Sequence, residues 1–288
     1  MLPPVSVSGE RFANCVSQSV EKPWASRNQP SRNRSPRIPA RLSSRIPPLL
    51  EATNYGGGVT ILVCGGGLLT EIEPLIQRFI KVTGESHRQL ALITAGGINH
   101  AELRERLQQR FTIGFELALD ATVPTAPVDG SELLTCDIIV VSGDNPGLLL
   151  NALQHRVVDM RRLVHGGAAY FGIDAGAALA SDIAWIGGNA VGGVPVAPAL
   201  ETAEIEFAEA IGLIDITVVP DAIGSGRVGL AAAAVEANIV DRIVAIDSGT
   251  AIEVAAGSLA VRGSGTIWQF QRDDERVMFT SMRASDVA

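Results

Sequence analysis

The sequence predicts an α/β domain on a mostly parallel central sheet, covered on both faces and finished in antiparallel hairpins. Three observations carry that expectation. Short apolar runs alternate with amphipathic stretches over roughly 120 residues from Thr53 onward. The runs are continuous instead of alternating with polar residues, as in strands buried on both faces. After residue 240 they shorten and are separated by Gly and Ser, the pattern of hairpins. With 47% hydrophobic but only 5% aromatic residues, the core must be built from Val, Ile, Leu and Ala, and a disordered chain, a collagen and a coiled coil are excluded.

The elements follow in order. Val59–Cys64 reads as a buried strand ending in Gly65-Gly66-Gly67. Thr70–Val82 carries Ile72, Leu75, Ile76, Phe79 and Ile80 at helical spacing, with Thr70 and Glu73 as a capping box. Leu90–Thr94 is a strand and Ala101–Arg110 a charged helix. Ile113–Leu119 and Ile138–Ser142 are strands, the second followed by a helix over Pro146–His155. Either Asp144 or Asn145 caps that helix, with Pro146 at its first position. Ala168–Ile173 is a further strand entering Asp174-Ala175-Gly176, and Arg161-Arg162 reads as a solvated helix face. Ile243–Ile246, Ala251–Ala255, Leu259–Arg262 and Thr266–Phe270 are the closing short strands.

Residues 1–52 read as a separate, disordered leader, and 53–288 as one domain without repeats. Seven Arg and one Lys against Glu10 and Glu21 give residues 1–50 a charge of +6, leaving −14 for the rest of a chain whose net charge is −8. The leader is rich in Ser, Pro and Arg and has no apolar stretch, so it is no secretory signal. Three readings of it stay open: an organelle transit peptide, a dispensable tail, or an over-extended reading frame. The acidic body is a poor match for a phosphate backbone, which argues against nucleic acid. Ile183–Leu200 is free of charge but broken by Gly and Pro, so no membrane span is expected. Cys15, Cys64 and Cys136 are too scattered for a disulfide scaffold or a cysteine zinc site, and Cys64 and Cys136 read as small packing residues. A cytoplasmic protein without metal or cofactor is the expectation.

In a parallel sheet, ligands collect at the carboxyl ends of the strands. Three such ends stand out: Gly65-Gly66-Gly67, Ser142-Gly143-Asp144-Asn145 and Gly172-Ile173-Asp174-Ala175-Gly176. The first matches neither common phosphate-binding glycine pattern, so a tight structural turn is favoured. The third has the Gly-x-nucleophile-x-Gly spacing of a nucleophile elbow, with Asp174 at its centre in place of Ser or Cys.

These blocks, with Thr94-Ala95-Gly96, Ile246-Asp247-Ser248-Gly249-Thr250-Ala251 and Gly263-Ser264-Gly265-Thr266-Ile267-Trp268, occur in the order found in the cyanophycinase and dipeptidase E family of serine peptidases. The sequence resembles that family over roughly residues 58–271. The resemblance implies a three-layer α/β/α sandwich similar to class I glutamine amidotransferases. It also implies that Gly143, Asp144, Asn145 and Ala175 face the substrate cleft, with Asp221 and Arg227 as substrate contacts; for Asp221 a plain turn acid after Pro220 is an equal reading.

The hydrolytic residues do not carry over. By the resemblance, Asp174 stands at the nucleophile position, Ile223 at the base and Ser248 at the orienting acid. No histidine follows the elbow; the four are His87, His100, His155 and His165. An elbow nucleophile without a base is weak. The leading expectation is a non-hydrolytic pseudoenzyme whose cleft takes a small peptide or amino-acid-like ligand. The acidic elbow favours a cationic group on that ligand. Two alternatives stay open: an active hydrolase of Asp-containing peptides (cyanophycin or Asp-X dipeptides) or one dependent on Asp174 itself, and a purely structural or assembly role. A homodimer is compatible with any of them.

Overall fold

The computed structural model describes residues 60–285, apart from 85–87, 97–99, 121–126, 128, 256–257 and 275. The leader expected over residues 1–52 lies outside the described residues, as does His87.

In chain order, the first half contains β1 (Thr60–Cys64), α1 (Leu69–Thr83), β2 (Gln89–Ala95), α2 (His100–Gln108), β3 (Thr112–Leu119), β4 (Ile138–Gly143), α3 (Pro146–Leu153), α4 (Val157–His165), β5 (Ala169–Asp174) and α5 (Ala175–Leu179). The second half adds β6 (Ile183–Gly187), β7 (Ala190–Val191), β8 (Val194–Pro195), β9 (Glu206–Glu209), β10 (Thr217–Pro220) and α6 (Val228–Glu236). It ends with β11 (Arg242–Ile246), β12 (Thr250–Ala255), β13 (Ser258–Gly263), β14 (Thr266–Asp273) and β15 (Arg276–Arg283).

The central sheet has seven strands in the order β13-β12-β1-β5-β4-β2-β3. Its five strands from β1 to β3 are mutually parallel, and β12 and β13 extend it as an antiparallel hairpin. The alternation of side chains along each strand explains why the runs read as continuously apolar: both faces are dry. Leu62, Leu92, Val140 and Phe171 pack on one face against Ile72 and Phe79 of α1 and Leu103 and Leu107 of α2. Ile61, Ile93, Val141 and Tyr170 point the other way, against α3, α4 and α5. The far layer also holds a second sheet, β10-β11-β14-β15, whose Val218 and Val244 join that core. Helix α6 covers the outer face of this second sheet through Leu230, Ala231 and Val235. Among the described residues, no helix is long and apolar enough to cross a membrane.

Several local expectations need correction. Helix α1 starts one residue early, and Glu71, not Glu73, closes its end by accepting from the Leu68 backbone N–H at 2.8 Å. The helix expected over Pro146–His155 stops at Leu153. There the chain turns, the Arg156 N–H donating to the Leu153 carbonyl at 2.7 Å, and α4 begins. Asn145, not Asp144, is the cap of α3, its Oδ1 accepting from the Leu148 N–H at 2.9 Å. Arg161 is not solvated: its guanidinium is half-buried and donates to the carbonyls of Ala210 and Ile211, tying α4 to the loop after β9. Cys64 and Cys136 are buried, as expected of small packing residues; burial pushes the Cys64 thiol up to about 12.

Candidate functional site

The site forms where β5 breaks sharply into α5. Asp174 sits at that break with φ 53° and ψ −114°, the left-handed region that costs a non-glycine residue about 1–3 kcal/mol. Glycines make the break possible. A Cβ on Gly172 would overlap the Gly176 carbonyl, one on Gly176 would overlap the Val141 carbonyl, and one on Gly66 would stand 3.1 Å from the Asp174 Cβ. Strand and helix therefore pack backbone to backbone, and the Asp174 side chain is turned out, a quarter exposed, beside the Gly65–Gly67 loop.

Neighbouring strands bring the other expected residues to the same end of the sheet. Gly143 pairs with Asp174 across β4 and β5, and Asp144 follows, its N–H donating to the Ala95 carbonyl at 3.2 Å. Ala175 is fully buried as the first residue of α5. From the second sheet, Asp221 leaves β10 with φ 49°, and its N–H donates to the Gly65 carbonyl at 2.8 Å. Its carboxylate accepts from Ser248 Oγ at 2.6 Å and from Ser225 Oγ. Arg227 places Nη1 3.9 Å from Asp174 Oδ1 and donates from the same nitrogen to the Pro220 carbonyl at 3.2 Å. Ile223 is more than half exposed on the 221–227 turn and contributes no proton acceptor.

Burial pushes the Asp174 carboxyl up to about 7. Arg227 opposes that rise, while the carboxylates of Asp221 and Asp144 add to it. One guanidinium thus stands among three carboxyl groups, and near neutral pH Asp174 is divided between acid and carboxylate.

No described histidine reaches Asp174. His100 lies beside β2, two strands from β5, with Nδ1 2.7 Å from Thr94 Oγ1 and Nε2 2.7 Å from Glu116 Oε1. His165 ends α4 at the opposite end of the sheet, where β5 begins, and His155 is exposed in the turn after α3. The arrangement can hold charge and share a proton through Asp174; among the described residues it includes no imidazole of the kind that activates a hydroxyl or a water in a serine hydrolase. Among the described residues, no group of three or more His, Cys, Asp or Glu is placed to hold a metal ion.

Two participants escaped sequence reasoning. Trp185 of β6 carries the Arg227 guanidinium over its ring at 4.8 Å, and Glu201 joins Asp144, Trp185 and Arg227 in lining a cavity of about 340 Å³. Asn189 holds the wall of that cavity by donating to the Ala197 carbonyl and accepting from the Ala203 N–H. Only the run of glycines around Trp185, Gly187 and Gly188 hints in sequence that backbone approaches closely here.

The chain is similar to a solved structure of a candidate peptidase E protein from Listeria monocytogenes EGD-e, at 15% identity and a TM-score of 0.45 over 71% of this chain and 98% of that one. It is also similar to a peptidase from an acI-B1 Actinobacterium, at 15% identity and a TM-score of 0.46 over 80% of this chain and 99% of that one. No curated protein matches it. The sequence profile of peptidase family S51 aligns from Ile61 in β1 to Arg262 in β13, spanning every element that meets at Asp174, and the chain belongs to that family.

Proposed function

We propose that in this member of peptidase family S51 the cleft at Asp174 is non-hydrolytic and binds a small peptide or amino-acid-like ligand carrying a positive charge. The observation that carries the reading is the company Asp174 keeps: an arginine, two further carboxyl groups and backbone, with no described imidazole in contact. Among the described residues no imidazole stands by to activate a water on an ester intermediate, so a covalent path through Asp174 lacks the base that a serine hydrolase uses. Binding needs none of that. Asp144, Asp174 and Asp221 against Arg227 leave an excess of negative charge at the cleft floor, which attracts an amine or guanidinium.

A thermal-shift screen of Asp-X dipeptides, free arginine and related amines tests the proposal, since a ligand bound only by the native state raises Tm. The expected result is stabilisation by the cationic compounds that disappears in Asp174→Asn. Cleavage of a β-Asp-Arg dipeptide, cyanophycin or an Asp-X dipeptide by the purified protein, abolished in Asp174→Ala, would overturn it.

A further inference from the structure

We propose that Thr94, His100 and Glu116 form a second reactive centre, a hydroxyl nucleophile with its own base, able to accept a small acyl group from an activated ester. The three residues come from three elements, the end of β2, the first residue of α2 and the middle of β3, yet they form one line. Thr94 Oγ1 is 2.7 Å from His100 Nδ1, and His100 Nε2 is 2.7 Å from Glu116 Oε1. Arg104 fixes the carboxylate from the other side, its Nε donating to Glu116 Oε2 at 2.9 Å. A hydroxyl within reach of a base that a third group orients is the arrangement that activates a nucleophile. Glu116 accepting from Nε2–H leaves Nδ1 as the acceptor facing Thr94, a tautomer assigned from the hydrogen-bond network.

A separate observation points into the same place. Ser142 is 1% exposed, and its Oγ has no hydrogen-bond partner. It pairs in register with Thr94 on the adjacent parallel strand. Both residues project to the face shared by Leu92 and Val140, so they are neighbours on that face, on strands about 4.8 Å apart. A buried hydroxyl left without a partner is costly, and here it is a donor positioned for an oxygen that develops charge next to Thr94.

The chemistry balances without a cofactor. Thr94 Oγ1 forms a bond to the ester carbonyl carbon as its proton passes to His100 Nδ1, and the Ser142 O–H donates to the carbonyl oxygen. The bond from that carbon to the alcohol oxygen then breaks, and His100 returns the proton to the departing alcohol, leaving an acyl ester on Thr94. Water then bonds to the acyl carbon as it gives a proton to His100, the bond from that carbon to Thr94 Oγ1 breaks, and His100 returns the proton to Oγ1 as the acid leaves. Thr94 is 3% exposed and the His100 side chain a quarter exposed, so the acyl group must be small and enter past the imidazole.

Treatment of the full-length protein with p-nitrophenyl acetate, followed by peptide mass mapping, tests the proposal. Acetyl is expected on Thr94 in the wild type and in Thr94→Ser, to be absent in Thr94→Val, and to fall at least about tenfold in rate in His100→Gln. Glu116 is a positioning residue. Glu116→Gln should slow labelling of Thr94 while leaving the melting temperature in place, because a side-chain amide can donate as well as accept and no longer holds the imidazole in the tautomer that accepts from Thr94; a role confined to holding the fold lowers the melting temperature and leaves the labelling rate unchanged. No acetyl group on Thr94 of the wild type, or less than a tenfold loss in His100→Gln, overturns the proposal.

Discussion

Arg227 stands 3.9 Å from Asp174, too far for a hydrogen bond, because its guanidinium lies over the Trp185 ring and is anchored to the Pro220 carbonyl. The cation is near enough to oppose the desolvation of Asp174 but not to cancel it. The carboxyl is left titrating near neutrality, and that has measurable consequences for stability as well as for binding.

An aspartate is half-ionised near pH 3.9 in the unfolded chain, whereas Asp174 holds its proton up to about 7 when folded. Between those limits the native state binds the extra proton, so its stability falls as pH rises from about 4 to about 7 and then levels off. Asp174→Asn removes that fall. Urea denaturation at pH 8 should find the variant about 1–3 kcal/mol more stable than the wild type, with the difference shrinking to nothing at pH 4. Equal stability at both pH values would place the carboxyl outside a desolvating environment.

Restoring a hydroxyl at the turn should not restore peptide hydrolysis. Asp174→Ser leaves Ile223 exposed on the facing turn and no described histidine within contact of residue 174. Release of amino acids from Asp-X dipeptides, followed by chromatography, is expected to stay at the buffer rate. Appreciable turnover would mean that a base reaches the turn.

Arg227→Met keeps the length of the stem while removing the charge. It loses the stacking on Trp185 and the bond to Pro220, together worth about 1–2 kcal/mol. The Asp174 carboxyl should also move further up, because the one opposing cation is gone. Thermal melting reads the first effect, and the pH dependence of stability reads the second.

Gly176→Ala should be among the most damaging single substitutions. The added Cβ overlaps the Val141 carbonyl, a backbone atom of the central sheet that cannot swing aside. A loss of about 3 kcal/mol or more is expected in denaturant titration.

Glu253 offers a test far from the cleft. It is 5% exposed on β12, bound by Arg78 through two bonds of 2.8 Å and approached by Arg262 at 3.5 Å. Glu253→Gln leaves two guanidinium groups beside a neutral amide, a loss of about 3 kcal/mol in denaturant titration. Replacement of the whole cluster by apolar residues should cost less than the single change.

The parallel core was legible because strands dry on both faces write themselves as unbroken apolar runs: Val59–Cys64 and Ile138–Ser142 were placed within a residue or two of β1 and β4. What could not be read was partnership. Thr266–Phe270 looks in sequence like Ala251–Ala255, yet the first lies in the second sheet and the second in the central one. Strand β15 was not anticipated, since Arg276–Arg283 carries Arg at both ends and sits at a half-exposed edge. In the site, Asp174 declared itself through the flanking glycines. Trp185 and Arg227 are 42 positions apart and meet only because β6 and the turn before α6 converge, a relation no local pattern encodes. The same holds for Thr94, His100 and Glu116, and for Arg161, whose neighbours in sequence disguised a bond to a distant loop.

The bare backbone contact between the end of β5 and the start of α5 separates two things that mutation treats very differently. Gly172 and Gly176 answer to the packing of the sheet whether or not any bond is ever cut above them, so selection for folding alone suffices to preserve them. The side chain they turn out toward the cleft, a quarter exposed, is not held by such backbone contact. The side chain at position 174 can therefore be exchanged, and with it the chemistry of the turn, while the backbone packing beneath it stays as it is.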